Sequence, residues 1–168
     1  MNQAIQTLTV YALPLILAIT LHEAAHAYAA KRLGDATAFM MGRMTLNPIK
    51  HIDPIGTIAM PLILFAVGSP FLFGYAKPVP VQFGNLRNPR RDMALVALAG
   101  PGANLLMAFL WLVFAILLRG FGIDEPFFLR VAEAGVLLNL VILAFNLFPV
   151  PPLDGGRVLT SMLPNHLA

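Results

Sequence analysis

Leu21-His22-Glu23-Ala24-Ala25-His26 sets two histidines four residues apart, with a carboxylate beside the first. On a helix, positions i and i+4 share a face, so both imidazoles address one point, where Zn²⁺ is held at about 2.0–2.1 Å. Glu23 sits close enough to move a proton at that point without being a ligand. The plainer alternative is a polar patch satisfied by neighbouring helices. The stretch around the motif is strongly apolar, and an unpaired charge at the centre of a membrane helix costs about 2.5–3.5 kcal/mol. Three ionisable side chains in one such turn therefore point to a metal site.

Zinc hydrolases usually add a third protein ligand and keep a fourth position open. The downstream candidates are His51, Asp53, Asp92, Asp124, Glu125, Glu133, Asp154 and His166. Asp154 stands out because Pro149-Val150-Pro151-Pro152-Leu153-Asp154-Gly155-Gly156 ends an apolar helix and presents a carboxylate from unwound backbone. Such backbone is tolerated at membrane depth mainly where it lines a cavity. Its competing role is N-cap of a short helix over Arg157–Leu163. With His22 and His26 needing a ligand, the metal role is favoured.

The elements that must position these residues follow from hydropathy. Only 11% of the 168 residues are charged and 58% are hydrophobic, against about 25% charged in soluble domains. The pattern predicts a single all-α integral membrane domain spanning residues 1–168. Three core transmembrane helices are expected at about 7–33, 93–118 and 131–149. The apolar stretch 55–76 holds Pro61, Pro70, Gly56, Gly68 and Gly74, so it is expected to be a re-entrant hairpin. Short β-strand segments are expected in the loops, at Arg43–Leu46 and in the extended Lys77–Phe83, where Pro78 and Pro80 suit an exposed edge. No Lys or Arg precedes Lys31, so the first segment reads as a retained helix and not a cleavable signal. The absence of Cys excludes disulfides and thiolate ligands. The net charge of +3 needs no nucleic-acid partner, because topology accounts for the basic residues.

Parity supplies an independent check. His22 and His26 lie toward the C-terminal end of their helix, and Asp154 lies just beyond the C-terminal end of its own. The two meet at one depth only if those helices are parallel, with one crossing between them, so 55–76 should not cross. Charge agrees: Lys31, Arg32, Arg43, Lys50, Lys77, Arg87, Arg90, Arg91 and Arg157 then share one side, and Arg119 and Arg130 take the other. By the positive-inside rule the chain is a multi-pass cell-membrane protein. Its N-terminus is non-cytoplasmic and its active site lies toward the cytoplasm.

The pair HEAAH and NLFPVPPLDGG resembles the site-2 protease family of intramembrane zinc metalloproteases, and AGPGAN (Ala99–Asn104) is similar to that family's GPxxN element. NPIKHIDPIGT and GYAKPVPV resemble its minimal bacterial branch, without PDZ or CBS domains. The resemblance implies one Zn²⁺ held by His22, His26 and Asp154, with Glu23 as catalytic acid/base. It also implies that Asn104 or Asn146 binds the substrate carbonyl or oxyanion; an interhelical hydrogen bond is the alternative for each. The expected partners are the lipid bilayer and a membrane-protein substrate whose transmembrane segment unwinds, with Lys77–Phe83 a candidate to pair with it by strand addition. The chain stops twelve residues after Gly156, so a further C-terminal membrane helix is expected to be absent. The competing readings are an intramembrane metal or ion transporter and an inactive scaffold. A single polar cluster and an intact H-E-x-x-H argue against both.

Overall fold

The computed structural model describes residues 3–68 and 75–163. Three helices are long and apolar enough to cross a membrane: α1 (Gln3–Leu33), α4 (Pro89–Gly120) and α5 (Pro126–Asn146). Shorter helices α2 (Thr37–Met40), α3 (Met60–Ala66) and α6 (Asp154–Met162) occupy the connections. The long helices reach further than hydropathy alone suggests, because their starts are set by proline. Pro89 and Pro126 each take a first-turn position, where the missing N–H costs nothing.

The helices pack through small residues. Ala18, Ala24, Ala27, Ala30, Ala97, Ala108, Ala132 and Ala134 are buried, whereas Leu8, Leu105, Leu106, Phe109 and Ile116 face outward. In lipid, apolar side chains gain nothing by turning inward, and small ones let backbones approach. Gly135 on α5 lies directly against the Trp111 indole on α4, where a Cβ would collide with the ring. The direction of each helix follows from its contacts. His22 meets Asn104 and His26 meets Val96, so α1 and α4 are antiparallel. The short link 121–125 makes α4 and α5 antiparallel in turn. α1 and α5 therefore run the same way, as parity requires.

Residues 34–68 and 75–88 form a cap of turns and short helices at the C-terminal end of α1. The tip of the expected re-entrant segment, residues 69–74, lies outside the described residues. Its two flanks are joined: Tyr75 donates its N–H to the Gly56 carbonyl at 3.1 Å, and Thr57 Oγ1 donates to the Tyr75 carbonyl at 2.8 Å. Helix α3, at seven residues, is too short to span.

The expected strands are not found: among the described residues there is no β-strand. At Arg43–Leu46 the side chains bend the chain instead, since Thr45 Oγ1 accepts from Asn47 N–H and Asn47 Oδ1 from Ile49 N–H. Lys77–Gln82 is extended but has no strand beside it. Its bonds go to other groups: Lys77 N–H to the His51 carbonyl, and the Lys77 and Pro78 carbonyls to Arg43 Nη2.

Candidate active site

α1 carries His22 and His26 on the face turned to α4, and both are buried. Each ring has its Nδ1 occupied. His22 Nδ1–H donates to Asn104 Oδ1 at 2.6 Å, and His26 Nδ1–H donates to the Val96 carbonyl at 2.8 Å. Those acceptors place the proton of each neutral imidazole on Nδ1, which leaves both Nε2 lone pairs bare. The two Nε2 atoms nevertheless face each other at 3.0 Å. Asp154 Oδ2 completes the triangle, 3.3 Å from His22 Nε2 and 3.2 Å from His26 Nε2.

Three electron-rich atoms have converged. Asp154 Oδ2 is itself buried with no hydrogen-bond partner. Two ligands on a tetrahedral ion, each at about 2.0–2.1 Å, lie about 3.3 Å apart. The observed edges of 3.0, 3.2 and 3.3 Å lie within about 0.3 Å of that length, so this donor set fits Zn²⁺.

Glycines make the approach possible. A Cβ on Gly100 would fall onto His26 Nε2 and lie 2.7 Å from His22 Cε1, so α4 crosses the histidines only as glycine. Four residues on, one helical turn away, Asn104 reaches His22. It is fully buried, its Nδ2 donates to Asn139 Oδ1 on α5 at 2.9 Å, and Asn139 passes the chain to the Gly135 carbonyl at 2.8 Å. Gly155 and Gly156 let the start of α6 press on the 147–151 backbone, where Cβ atoms would strike the Leu147 carbonyl and Pro151 N. Asp154 is the first residue of α6, after Leu153 at the N-cap, and its Oδ2 is turned to the two histidines.

A cleft of about 110 Å³ opens beside the triangle, lined by Glu23, Val79, Val81, Asn146 and Arg157 among others. Glu23 Oε2 accepts from Val79 N–H at 2.8 Å. Asn146 is half-buried on the cleft wall, its Nδ2 donating to the Ile142 carbonyl at 2.9 Å. Asn104 does not line the cleft and is engaged between helices. The guanidinium of Arg157 lies 3.7 Å from Asp154 Oδ1 and rests over the Phe83 ring.

The other candidate ligands are employed elsewhere. His51 Nε2 donates to the Thr45 carbonyl, Asp53 caps Ile55 and Gly56, and Asp92 accepts from Asn88 N–H. Glu133 pairs with Arg119, Asp124 and Glu125 are exposed, and His166 lies outside the described residues. Sequence reasoning named Gly100 only as part of the AGPGAN element, without a role against the histidines, and missed Asn139 and the Val79 amide. Asn139 was open to detection, as a lone amide in an apolar helix; the amide contact to Glu23 spans 56 residues and leaves no local trace.

A helical membrane domain with a closed His–His–Asp triangle and an adjacent carboxylate defines a metallohydrolase-type centre. The comparisons give its family. The chain is 43% identical over 159 residues to "Putative zinc metalloprotease YwhC" of Bacillus subtilis, covering 89% of this chain and 67% of that protein. It is 34% identical over 150 residues to "Putative zinc metalloprotease Rip2" of Mycolicibacterium smegmatis, and 36% over 152 residues to the Rip2 of Mycobacterium tuberculosis. Each match covers 88% of this chain and 55% of the relative. The chain thus spans about two thirds of the first relative and just over half of the others. No family model matches, and no solved structure matches significantly. The chain belongs to the family of zinc metalloproteases represented by YwhC and Rip2.

Proposed function

We propose that this protein is a zinc endopeptidase of the site-2 type, of the minimal bacterial branch, hydrolysing peptide bonds in or beside transmembrane segments of membrane proteins. The observation that carries the reading is the triangle of His22 Nε2, His26 Nε2 and Asp154 Oδ2, built on membrane helices and open to a cleft shared with Glu23. These three residues hold one Zn²⁺ per chain. When bound, zinc supplies Lewis acidity, polarising a peptide carbonyl and making water a nucleophile near neutral pH.

The remaining roles belong to the chain. Glu23 takes the proton of the attacking water and returns it to the leaving amine. Asn104 and the Val96 carbonyl fix the histidine tautomers, so that Nε2 is always the ligand atom. Asn146, on the cleft wall, orients the substrate carbonyl. A helical substrate hides its carbonyls, so it must be extended first. Val79 and Val81 offer it an edge: the Val79 carbonyl and both backbone groups of Val81 have no partner among the described residues. The basic residues around this end support an orientation with the site toward the cytoplasm and the N-terminus on the other side.

The test is a comparison of wild type with Glu23→Gln in a native-like membrane. Both should hold one zinc per chain, while the variant loses peptide hydrolysis by at least several hundredfold, given the 10²- to 10⁴-fold value of general acid–base catalysis. Membrane stubs of the natural substrate should accumulate in its presence. Cleavage at the wild-type rate would refute the mechanism, and zinc-free wild type would refute the site.

A further inference from the structure

Helix α1 ends at Leu33, and Gly34 turns the chain with φ +120°. The next residue, Asp35, is wholly buried, and no cation pairs with it among the described residues. Burying a carboxylate without a counter-ion is costly unless donors surround it. Here they do. Asp35 Oδ1 accepts from Thr37 N–H at 3.1 Å, Thr37 Oγ1 at 2.5 Å and Asn85 Nδ2 at 3.1 Å, and Oδ2 accepts from Gln82 N–H at 2.7 Å. Burial resists its ionisation, yet these bonds hold the carboxyl below its ordinary value. Two of the four bonds are local. The other two reach 47 and 50 residues along the chain, to the end of the extended segment.

That segment is also fixed at Val79, by Glu23. Its ends are therefore tied to carboxylates borne by, or directly following, the helix that carries both histidines. We propose that Asp35 is a positioning residue for the substrate-pairing segment, holding Gln82 so that residues 79–82 are suspended between Asp35 and Glu23 at the edge of the cleft. The inference rests on the reading that this segment pairs with substrate. Asp35 touches neither substrate nor metal; it sets the height of the edge and, through Val79, the orientation of Glu23. Asparagine keeps the shape of Asp35 but turns one acceptor into a donor, which cannot receive the Gln82 or Asn85 hydrogen.

The test is amide hydrogen exchange on the full chain with zinc bound, in lipid nanodiscs, for wild type, Asp35→Asn and Thr37→Val. Pro78 and Pro80 have no amide hydrogen, so few sites must be resolved between 77 and 83. In Asp35→Asn the Val79 and Gln82 amides should exchange about 10-fold faster or more, as befits loss of a bond to a charged group. In Thr37→Val, which removes only a local bond, both should exchange as in wild type. Zinc content should be equal in all three. Wild-type protection at Val79 and Gln82 in Asp35→Asn overturns the proposal, as does equal loss in Thr37→Val. If Asp35→Asn does not fold, Gln82→Pro deletes the same donor, its ring drawing the backbone φ there from −97° toward about −65°. It should speed exchange at Val79, and an unchanged Val79 overturns the proposal. Failure of the zinc reading shows separately, as metal-free wild type whatever the exchange rates.

Discussion

Replacing Gly100 with alanine adds one methyl group, and the structure states where that methyl must go. It would lie 2.6 Å from His26 Cε1 and 2.7 Å from His22 Cε1, closer still to His26 Nε2. Carbon atoms are comfortable at about 3.5–4.0 Å, so the rings or α4 must yield by about 0.8 Å or more. The rings have nowhere to go, being pinned at Nδ1 by Asn104 and Val96 on the same helix. Metal sites tolerate about 0.5 Å of misplacement, and disturbing the groups that orient ligands typically costs 10- to 100-fold in metal affinity. Gly100→Ala should therefore weaken zinc binding by at least 10-fold, although alanine favours the helix by about 0.8–1 kcal/mol. Gly102, two residues on, is the control, because its Cβ would meet nothing within 4 Å. Gly102→Ala should leave zinc affinity unchanged and leave thermal stability level or slightly higher. Competition with a chelator of known affinity measures both variants. Wild-type zinc affinity in Gly100→Ala would show that α4 does not hold the histidines as described.

Further expectations concern the ligands and the topology. His22→Ala and His26→Ala should each abolish stoichiometric zinc in folded protein, checked by metal analysis after detergent purification. Asp154→Asn should sharply lower zinc affinity and activity while the fold survives, since asparagine keeps the size of the side chain but carries no charge; untouched zinc would leave Asp154 structural. Asn104→Ala should free the His22 tautomer and weaken zinc about 10- to 100-fold, seen by the same competition assay. Single cysteines placed in 36–53 and 77–91 of this cysteine-free chain should share one labelling pattern toward an impermeant thiol reagent in intact cells. Labelling of only one of the two loops would contradict the joined flanks at Gly56 and Tyr75.

The convergence of His22, His26 and Asp154 was legible because two of the three sit on one helix face and helix parity brings in the third. His22, Glu23 and His26 sit within one and a half turns, and parity alone requires the helix before Asp154 to run parallel to theirs. The strand expectation at Arg43–Leu46 failed for a physical reason: strand propensity describes a residue's fit to a neighbour, and no neighbouring strand exists among the described residues. Thr45 and Asn47 bond their own backbone and turn the chain. The role of Asn104 was left between substrate and helix contact because its partners lie 82 and 35 residues away. Helix starts shifted to Pro89 and Pro126, positions where a proline rule outranks the hydropathy boundary.

Pro78 and Pro80 give the extended segment a polarity across its width. In an extended chain alternate residues direct their backbone groups to opposite edges, so both missing hydrogens fall on the same one. On that edge the next amide, Gln82, is already spent on Asp35. The opposite edge keeps the Val81 amide and the Val79 and Val81 carbonyls, while its Val79 amide is taken by Glu23. The segment is thus a zipper with teeth along a single side. On the proposed reading, a substrate strand would add along the cleft side, where backbone groups are free among the described residues, and not along the side that holds the two prolines. An exposed unpaired strand ordinarily invites runaway association. Here two imino acids remove the donors from one of the two edges.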